Sequence, residues 1–217
     1  MNEEKMDKSP ELEAAIENLY STFKPKIIPD SIAYCECCMN DSQIKKLLTT
    51  KLKSLSKEDL EEYTRCLLLT VGEIEDFQYF LPRIFELLCD TPVFLADYQV
   101  TFAKFRLADW KSWDEPKQSA INRFLEAVWL NEISKHEPET STILCSIGQC
   151  EDDLGKYLDL LTPPQALRDL IESNQDCLGK GKLSDSFWEE REDQMKQVIH
   201  WLNSEKVQTM ICKVYEQ

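Results

Sequence analysis

The densest group of reactive side chains in the sequence is Cys35-Glu36-Cys37-Cys38, which places three thiols within four residues. Thiolates bind Zn²⁺, and a structural zinc site usually takes four Cys or His ligands arranged as two spaced pairs. No second pair follows in this sequence. A distant Cys or His could complete a site after folding, so zinc binding by Cys35, Cys37 and Cys38 is one hypothesis. The alternative is a buried group of thiols that packs the N-terminal segment.

The other cysteines stand singly in helix-like segments, which is typical of small buried hydrophobic residues. There are six of them: Cys66, Cys89, Cys145, Cys150, Cys177 and Cys212. The start of the chain, Met1 to Lys5, lacks the basic end and apolar core of a secretory signal. We therefore expect a cytoplasmic protein whose thiols are mostly reduced.

Motifs of common enzymes are missing from the sequence, which has no G-x-S-x-G, H-E-x-x-H or P-loop pattern. Three acidic groups, at 73–76, 151–153 and 189–193, are interpreted as helix-start acids or solvated faces. Arg191 lies between the apolar rows of its helix and could pair with a neighbouring acid. An enzymatic function stays open, but a non-enzymatic one is favoured.

Helical periodicity runs through almost the whole chain, and glycine is scarce at five residues. This pattern predicts an all-α, single-domain, irregular antiparallel array of about ten helices, with solenoid-like stacking as one form of it. The domain spans residues 1–217, with disorder expected over residues 1–8. No linker rich in Pro, Gly or Ser divides it.

Three helices near the thiols are predicted in detail. The first begins after Ser56, carries an apolar face from Leu60 to Val71 and stops at Gly72. The second covers 73–88, where Pro82 should kink it or split it in two. Its apolar stripe is formed by Phe77, Phe80, Leu81, Ile84, Phe85 and Leu88. The third covers 94–108.

The chain carries 25 basic and 40 acidic residues, a formal charge of −15. This charge argues against nucleic acid and anionic membrane surfaces as partners, and no apolar stretch is long enough to span a bilayer. The excess is −7 up to Trp110, from 13 basic and 20 acidic residues, and −8 beyond it, from 12 and 20. Acidity is thus spread over the whole chain, which favours solubility.

The segment Val71 to Leu87 resembles a signature in a family of uncharacterised bacterial proteins. In that family a Cys-x-Cys-Cys cluster precedes a G-[DE]-[VI]-x-D-F-x-x-F-L-P-R-I motif, and both stand here in the same order. The resemblance covers most of Leu19 to Trp129, including Leu107 to Trp113, and it implies no particular activity. Family members often have His where this chain has Tyr79, which weakens a metal-ligand or base role at that position.

The polar members of this motif are Asp76 and Arg83, seven residues apart and therefore two turns along one helix face. They could pair with neighbouring helices or line a cleft.

Two hypotheses follow, with an enzyme using a cleft near Asp76 and Arg83 as a third possibility. The favoured one is a non-enzymatic, acidic protein that binds a basic protein partner, for example a bacterial immunity or antitoxin-type protein. The alternative is a zinc-binding protein that uses the three clustered cysteines. No other cofactor is expected, and the oligomeric state stays open.

Overall fold

The computed structural model describes residues 8–24, 29–90 and 98–216. These residues contain twelve α-helices and three short 3₁₀-helices, and their only β pairings are isolated bridges. The predicted all-α, irregular helical array is thereby confirmed. Residues 1–7 of the segment expected to be disordered lie outside the described residues, whereas Lys8 forms an ion pair with Asp90. No helix in the described ranges is long and apolar enough to cross a membrane.

The chain divides into two compact units, Met1–Ala127 and Val128–Gln217. The boundary falls inside one helix, in keeping with the lack of a linker in the sequence. The helices that begin in the first unit are α1 (Pro10–Thr22), α2 (Asp41–Thr49), α3 (Lys57–Cys66), α4 (Ile74–Asp90), α5 (Tyr98–Leu107) and α6 (Glu115–Ile133). Those of the second unit are α7 (Thr140–Cys150), α8 (Gly155–Leu160), α9 (Pro164–Glu172), α10 (Gln175–Leu178), α11 (Glu192–Leu202) and α12 (Glu205–Tyr215).

Helix α4 forms the centre of the first unit, packing against both α1 and α3. Its predicted apolar stripe is fully buried, and Phe85 stacks on Phe105 of α5 with ring centroids 4.7 Å apart. The helix continues through Pro82 and is not split there. Aromatic contacts of this kind fix the positions of α4 and α5 relative to each other. The predicted start of α5 at residue 94 falls outside the described residues.

Helix α3 ends earlier than the sequence predicts. It stops at Cys66 instead of continuing to Val71, and residues 67–73 form a loop. Leu68 has a φ of 60°, which a right-handed helix cannot accommodate, and Gly72 has a φ of 69°. Apolar spacing could not show this because Leu67 and Val71 are buried in the loop as they would be in a helix.

In the second unit, the half-buried Arg191 joins the end of α7 to the segment before α11. Arg191 Nε donates to Gly148 O at 2.7 Å, and its Nη2 donates to Glu151 O and Asp152 Oδ1, both at 2.8 Å. The expected pairing of Arg191 with an acid is confirmed. Gly148 also lies against the buried ring of Trp188, where an added Cβ would come within 2.7 Å.

Candidate metal centre

Residues 35–38 form a turn that leads directly into helix α2. The amides of Cys38 and Met39 both donate to Cys35 O, at 2.9 and 3.1 Å. Asn40 then caps α2 through a reciprocal pair of hydrogen bonds with Gln43. The backbone on both sides of the cysteines is therefore fixed by local hydrogen bonds.

The loop after α3 lies alongside this turn. Cys35 N donates to Thr70 O at 2.9 Å, and Gly72 N donates to Ala33 O at 2.7 Å. The Thr70 hydroxyl donates to Cys38 Sγ at 3.0 Å. These contacts join two segments more than thirty residues apart in sequence and place the loop over the thiols.

Three sulfur atoms converge at the turn, and we call Cys35, Cys37 and Cys38 the thiol cluster. All three Sγ atoms lie within 4.8 Å of one another. Cys35 and Cys37 are 2.7 Å apart and Cys37 and Cys38 are 3.7 Å apart. In a tetrahedral zinc site with Zn–S bonds of about 2.3 Å, ligand sulfurs lie about 3.8 Å apart. The Cys37–Cys38 spacing already matches, and the Cys35–Cys37 pair would have to widen by about 1 Å.

The thiols of the cluster differ in acidity. Hydrogen bonds from the Thr70 hydroxyl and from Cys37 lower the pKa of Cys38. The hydrogen bond with Cys35, followed by the one with Cys38, raises the pKa of Cys37 to about 11. The Cys38 thiol therefore loses its proton more readily than the Cys37 thiol, and the thiolate is the species that binds metal.

Cys66 lies beside the thiol cluster, at the C-terminal end of α3. Its thiol is half-buried and donates to Glu62 Oε1 at 3.3 Å. Burial, the Glu62 carboxylate and the nearby Cys38 thiol together raise the pKa of Cys66 to about 11. The sequence signal was misleading here, because a single cysteine in a helix normally indicates core packing.

The other single cysteines partly follow the sequence prediction. Cys89, Cys145 and Cys150 are buried, as expected. Cys177 is half-buried, and the prediction is wrong for Cys212, which is exposed on α12. The apolar side of α12 is formed by Val207 and Val214, and this leaves Cys212 on the opposite, solvated side.

A buried lysine sits close to Cys66. Lys104 of α5 is 1% exposed and donates to Leu67 O at 2.8 Å and to Arg65 O at 3.1 Å, on either side of Cys66. The Lys104 ammonium interacts electrostatically with Cys66, and the Arg65 guanidinium does so with both Cys66 and Cys38. Two cationic side chains therefore lie near Cys66, and Arg65 is at the same time ion-paired with the Glu62 carboxylate.

A pocket of about 580 Å³ opens next to the thiol cluster, lined by Cys35, by residues 68–74 and by Leu107. Three of its apolar lining residues face solvent: Leu69 is 65% exposed, Leu107 is 46% exposed and Ile74 is 37% exposed. Exposed leucines beside a concave surface are a feature of interaction sites.

Asp76 is buried at the start of α4. Its Oδ2 accepts a hydrogen bond from Glu73 N at 2.9 Å, which helps to cap the helix. Burial raises the pKa of this carboxyl. Its neighbours Glu73 and Glu75 are exposed in the first turn, as predicted for helix-start acids.

Arg83 has a different set of partners. Its Nε donates to Leu55 O at 2.7 Å and its Nη1 to Glu86 Oε2 at 2.6 Å, while Glu86 also accepts from the Tyr20 hydroxyl. This network joins α1 and α4 to the segment before α3. The pocket lining includes neither Asp76 nor Arg83. The structure therefore does not bring these two residues to a shared partner, and the cleft hypothesis stays a prediction.

No protein-family profile, curated protein or solved structure matches the chain. The resemblance to the bacterial family with the Cys-x-Cys-Cys cluster stays a prediction.

Proposed function

We propose that the protein binds a thiophilic divalent metal ion, with zinc as the best-fitting occupant, through the thiol cluster. The observation that carries this proposal is the convergence of three sulfur atoms within 4.8 Å. Thiolates at such spacing favour Zn²⁺ over the hard cations Ca²⁺ and Mg²⁺, which prefer oxygen ligands.

Three features of the surroundings support metal binding. The turn is preorganised by two backbone hydrogen bonds to Cys35 O. The hydrogen bond from the Thr70 hydroxyl favours the thiolate form of Cys38. Protons therefore compete less with a metal ion for this sulfur atom. Helix α2 begins at Asp41, three residues after Cys38, and the partial positive charge of a helix start favours nearby thiolates. A bound ion would lock the turn and fix the start of α2.

The metal content of protein purified without an affinity tag tests this proposal. We expect about one zinc per chain by elemental analysis, retained after dialysis against a weak chelator. Cys37→Ser should lose the metal because it removes one of the clustered thiolates. Cys212→Ser is the matched control, since Cys212 is an exposed single thiol in the second unit. Substoichiometric zinc that does not change in Cys37→Ser would overturn the proposal.

A second candidate function, binding of a basic protein partner, is favoured by the exposed leucines at the pocket. Leu69 and Leu107 could anchor an apolar side chain, and the net charge of −15 would speed association with a basic surface. A bacterial immunity or antitoxin-type protein is one concrete form of this function.

Affinity capture from the native host at low salt tests the second candidate. We expect a basic partner to be retained by the unaltered chain and by Leu160→Ser, which changes an exposed leucine in the second unit. Leu69→Ser should lose this partner because it removes the most exposed anchor of the pocket. Recovery of no protein by the unaltered chain counts against this function.

A further inference from the structure

We propose that Cys66 is the fourth protein ligand of the metal site, converting the thiol cluster into a four-thiolate centre. This inference rests on the proposed function and specifies its complete ligand set. The sequence separates Cys66 from Cys38 by 28 residues, so only the folded chain brings it to the site.

The backbone places Cys66 next to the cluster. Thr70 N and Leu69 N both donate to Cys66 O at 3.0 Å, and Thr70 O in turn accepts from Cys35 N. Because the hydroxyl of Thr70 also contacts Cys38 Sγ at 3.0 Å, one residue touches the turn and the end of α3 at once. Cys66 therefore lies one short hydrogen-bonded loop away from the turn.

The Cys66 side chain is within reach of the cluster. Its thiol lies near that of Cys38 and donates to Glu62 Oε1 at 3.3 Å. It lies outside the group of three sulfurs that are all within 4.8 Å of one another. Ligation thus requires the Cys66 thiol to turn away from Glu62 and towards Cys38, a side-chain rotation at the half-buried end of a helix.

Charge at the site suits four thiolates. Four S–H bonds break and four metal–sulfur bonds form, with the four protons released to solvent, so the centre carries two excess negative charges. The buried Lys104, fixed by Leu67 O and Arg65 O, interacts electrostatically with Cys66. The side chain of Arg65 does so as well, although it is also ion-paired with Glu62. A buried lysine is costly unless it has partners, and a thiolate centre would supply a compensating negative charge.

Cysteine footprinting on the unaltered protein is the first test. Protein stripped of metal is treated with N-ethylmaleimide, with and without one equivalent of Zn²⁺, and digested with trypsin. Cleavage after Arg65 separates Cys66 from the cluster. We expect zinc to protect Cys66 and the cluster together, while the exposed Cys212 reacts at an unchanged rate.

Cobalt substitution is the second test. It decides the role of Cys66 even if this thiol does not react with N-ethylmaleimide in the metal-free protein. Co²⁺ bound to the unaltered chain should show intense sulfur-to-cobalt charge transfer and tetrahedral visible bands. Cys66→Ser should lose about a quarter of the charge-transfer intensity and bind zinc at least about 100-fold more weakly. Glu62→Gln is the matched control, because it removes the present partner of the Cys66 thiol and leaves all four sulfurs in place.

The outcomes separate the inference from the proposed function. Protection of the cluster with no protection of Cys66, or a cobalt spectrum unchanged in Cys66→Ser, overturns the fourth-ligand role and leaves metal binding intact. Tetrahedral visible bands of Co²⁺ that change in Glu62→Gln but not in Cys66→Ser identify the carboxylate as the fourth ligand and also overturn it. If zinc protects none of the cysteines, both the fourth-ligand role of Cys66 and metal binding by the thiol cluster are refuted.

Discussion

Gly72 offers a direct test of how the loop over the thiol cluster is built. Its φ of 69° costs an L-residue about 1–2 kcal/mol. An added Cβ would also lie 3.1 Å from Tyr63 Oη and 3.3 Å from Leu67 Cδ1. Both neighbours are fully buried, so they can yield only by displacing other core side chains.

The expected effect of Gly72→Ala combines the cost of its backbone conformation with the cost of crowding by the new Cβ, less a gain from the stiffer unfolded chain. Overpacking a buried site typically adds about 1–3 kcal/mol of destabilisation, while the stiffer unfolded chain of an alanine variant offsets about 0.4–1 kcal/mol. We therefore expect the free energy of unfolding of the first unit to fall by about 1–5 kcal/mol, against the roughly 5–15 kcal/mol typical of a domain.

Two other glycines serve as matched controls. Gly181 also has a φ of 69° but has no atom within 4 Å of an added Cβ, so Gly181→Ala should cost only about 1 kcal/mol. Gly179 has neither feature, and Gly179→Ala should change stability by less than about 0.5 kcal/mol. Hydrogen exchange in increasing urea, measured peptide by peptide, assigns each loss to its own unit. A loss in Gly72→Ala no larger than that in Gly181→Ala would refute the argument that the Tyr63 and Leu67 contacts matter.

Three further predictions concern buried groups elsewhere in the chain. Gly148→Ala should lower the free energy of unfolding by about 1–3 kcal/mol and shift tryptophan fluorescence, because the new Cβ would collide with the ring of Trp188; an unchanged stability would show that the ring moves freely. Burial lowers the pKa of Lys104 from 10.5 to about 8. Because the unfolded chain keeps the Lys104 proton up to a higher pH, the free energy of unfolding should rise by up to about 3 kcal/mol between about pH 8 and 10.5. Lys104→Met should lack this rise when unfolding is compared at both pH values. Arg191→Met should destabilise by several kcal/mol in urea unfolding, because two backbone carbonyl oxygens lose their donors. Asp152→Asn should cost less than about 1 kcal/mol, since the Asp152 side chain is 81% exposed; equal losses in the two variants would contradict this account.

Much of the helical framework could be predicted from local patterns. The apolar stripe of α4 (Phe77, Phe80, Leu81, Ile84, Phe85 and Leu88) is buried throughout, as its spacing predicts. Such predictions succeed because a helix places residues three and four positions apart on one face. The same rule failed at the end of α3, where Leu67 and Val71 are buried in a loop instead.

The helical class of the protein and the grouping of Cys35, Cys37 and Cys38 could be read from the amino-acid sequence, since both depend on residues close together in the chain. The neighbours of the cluster depend on the folded chain. Cys66 lies near Cys38, the Thr70 hydroxyl donates to the Cys38 sulfur, and Lys104 donates to Leu67 O next to Cys66. These neighbours depend on the path of residues 67–73, which is set by a left-handed Leu68 and by Gly72. Apolar periodicity does not encode such backbone conformations, so contacts between distant segments could not be read from it.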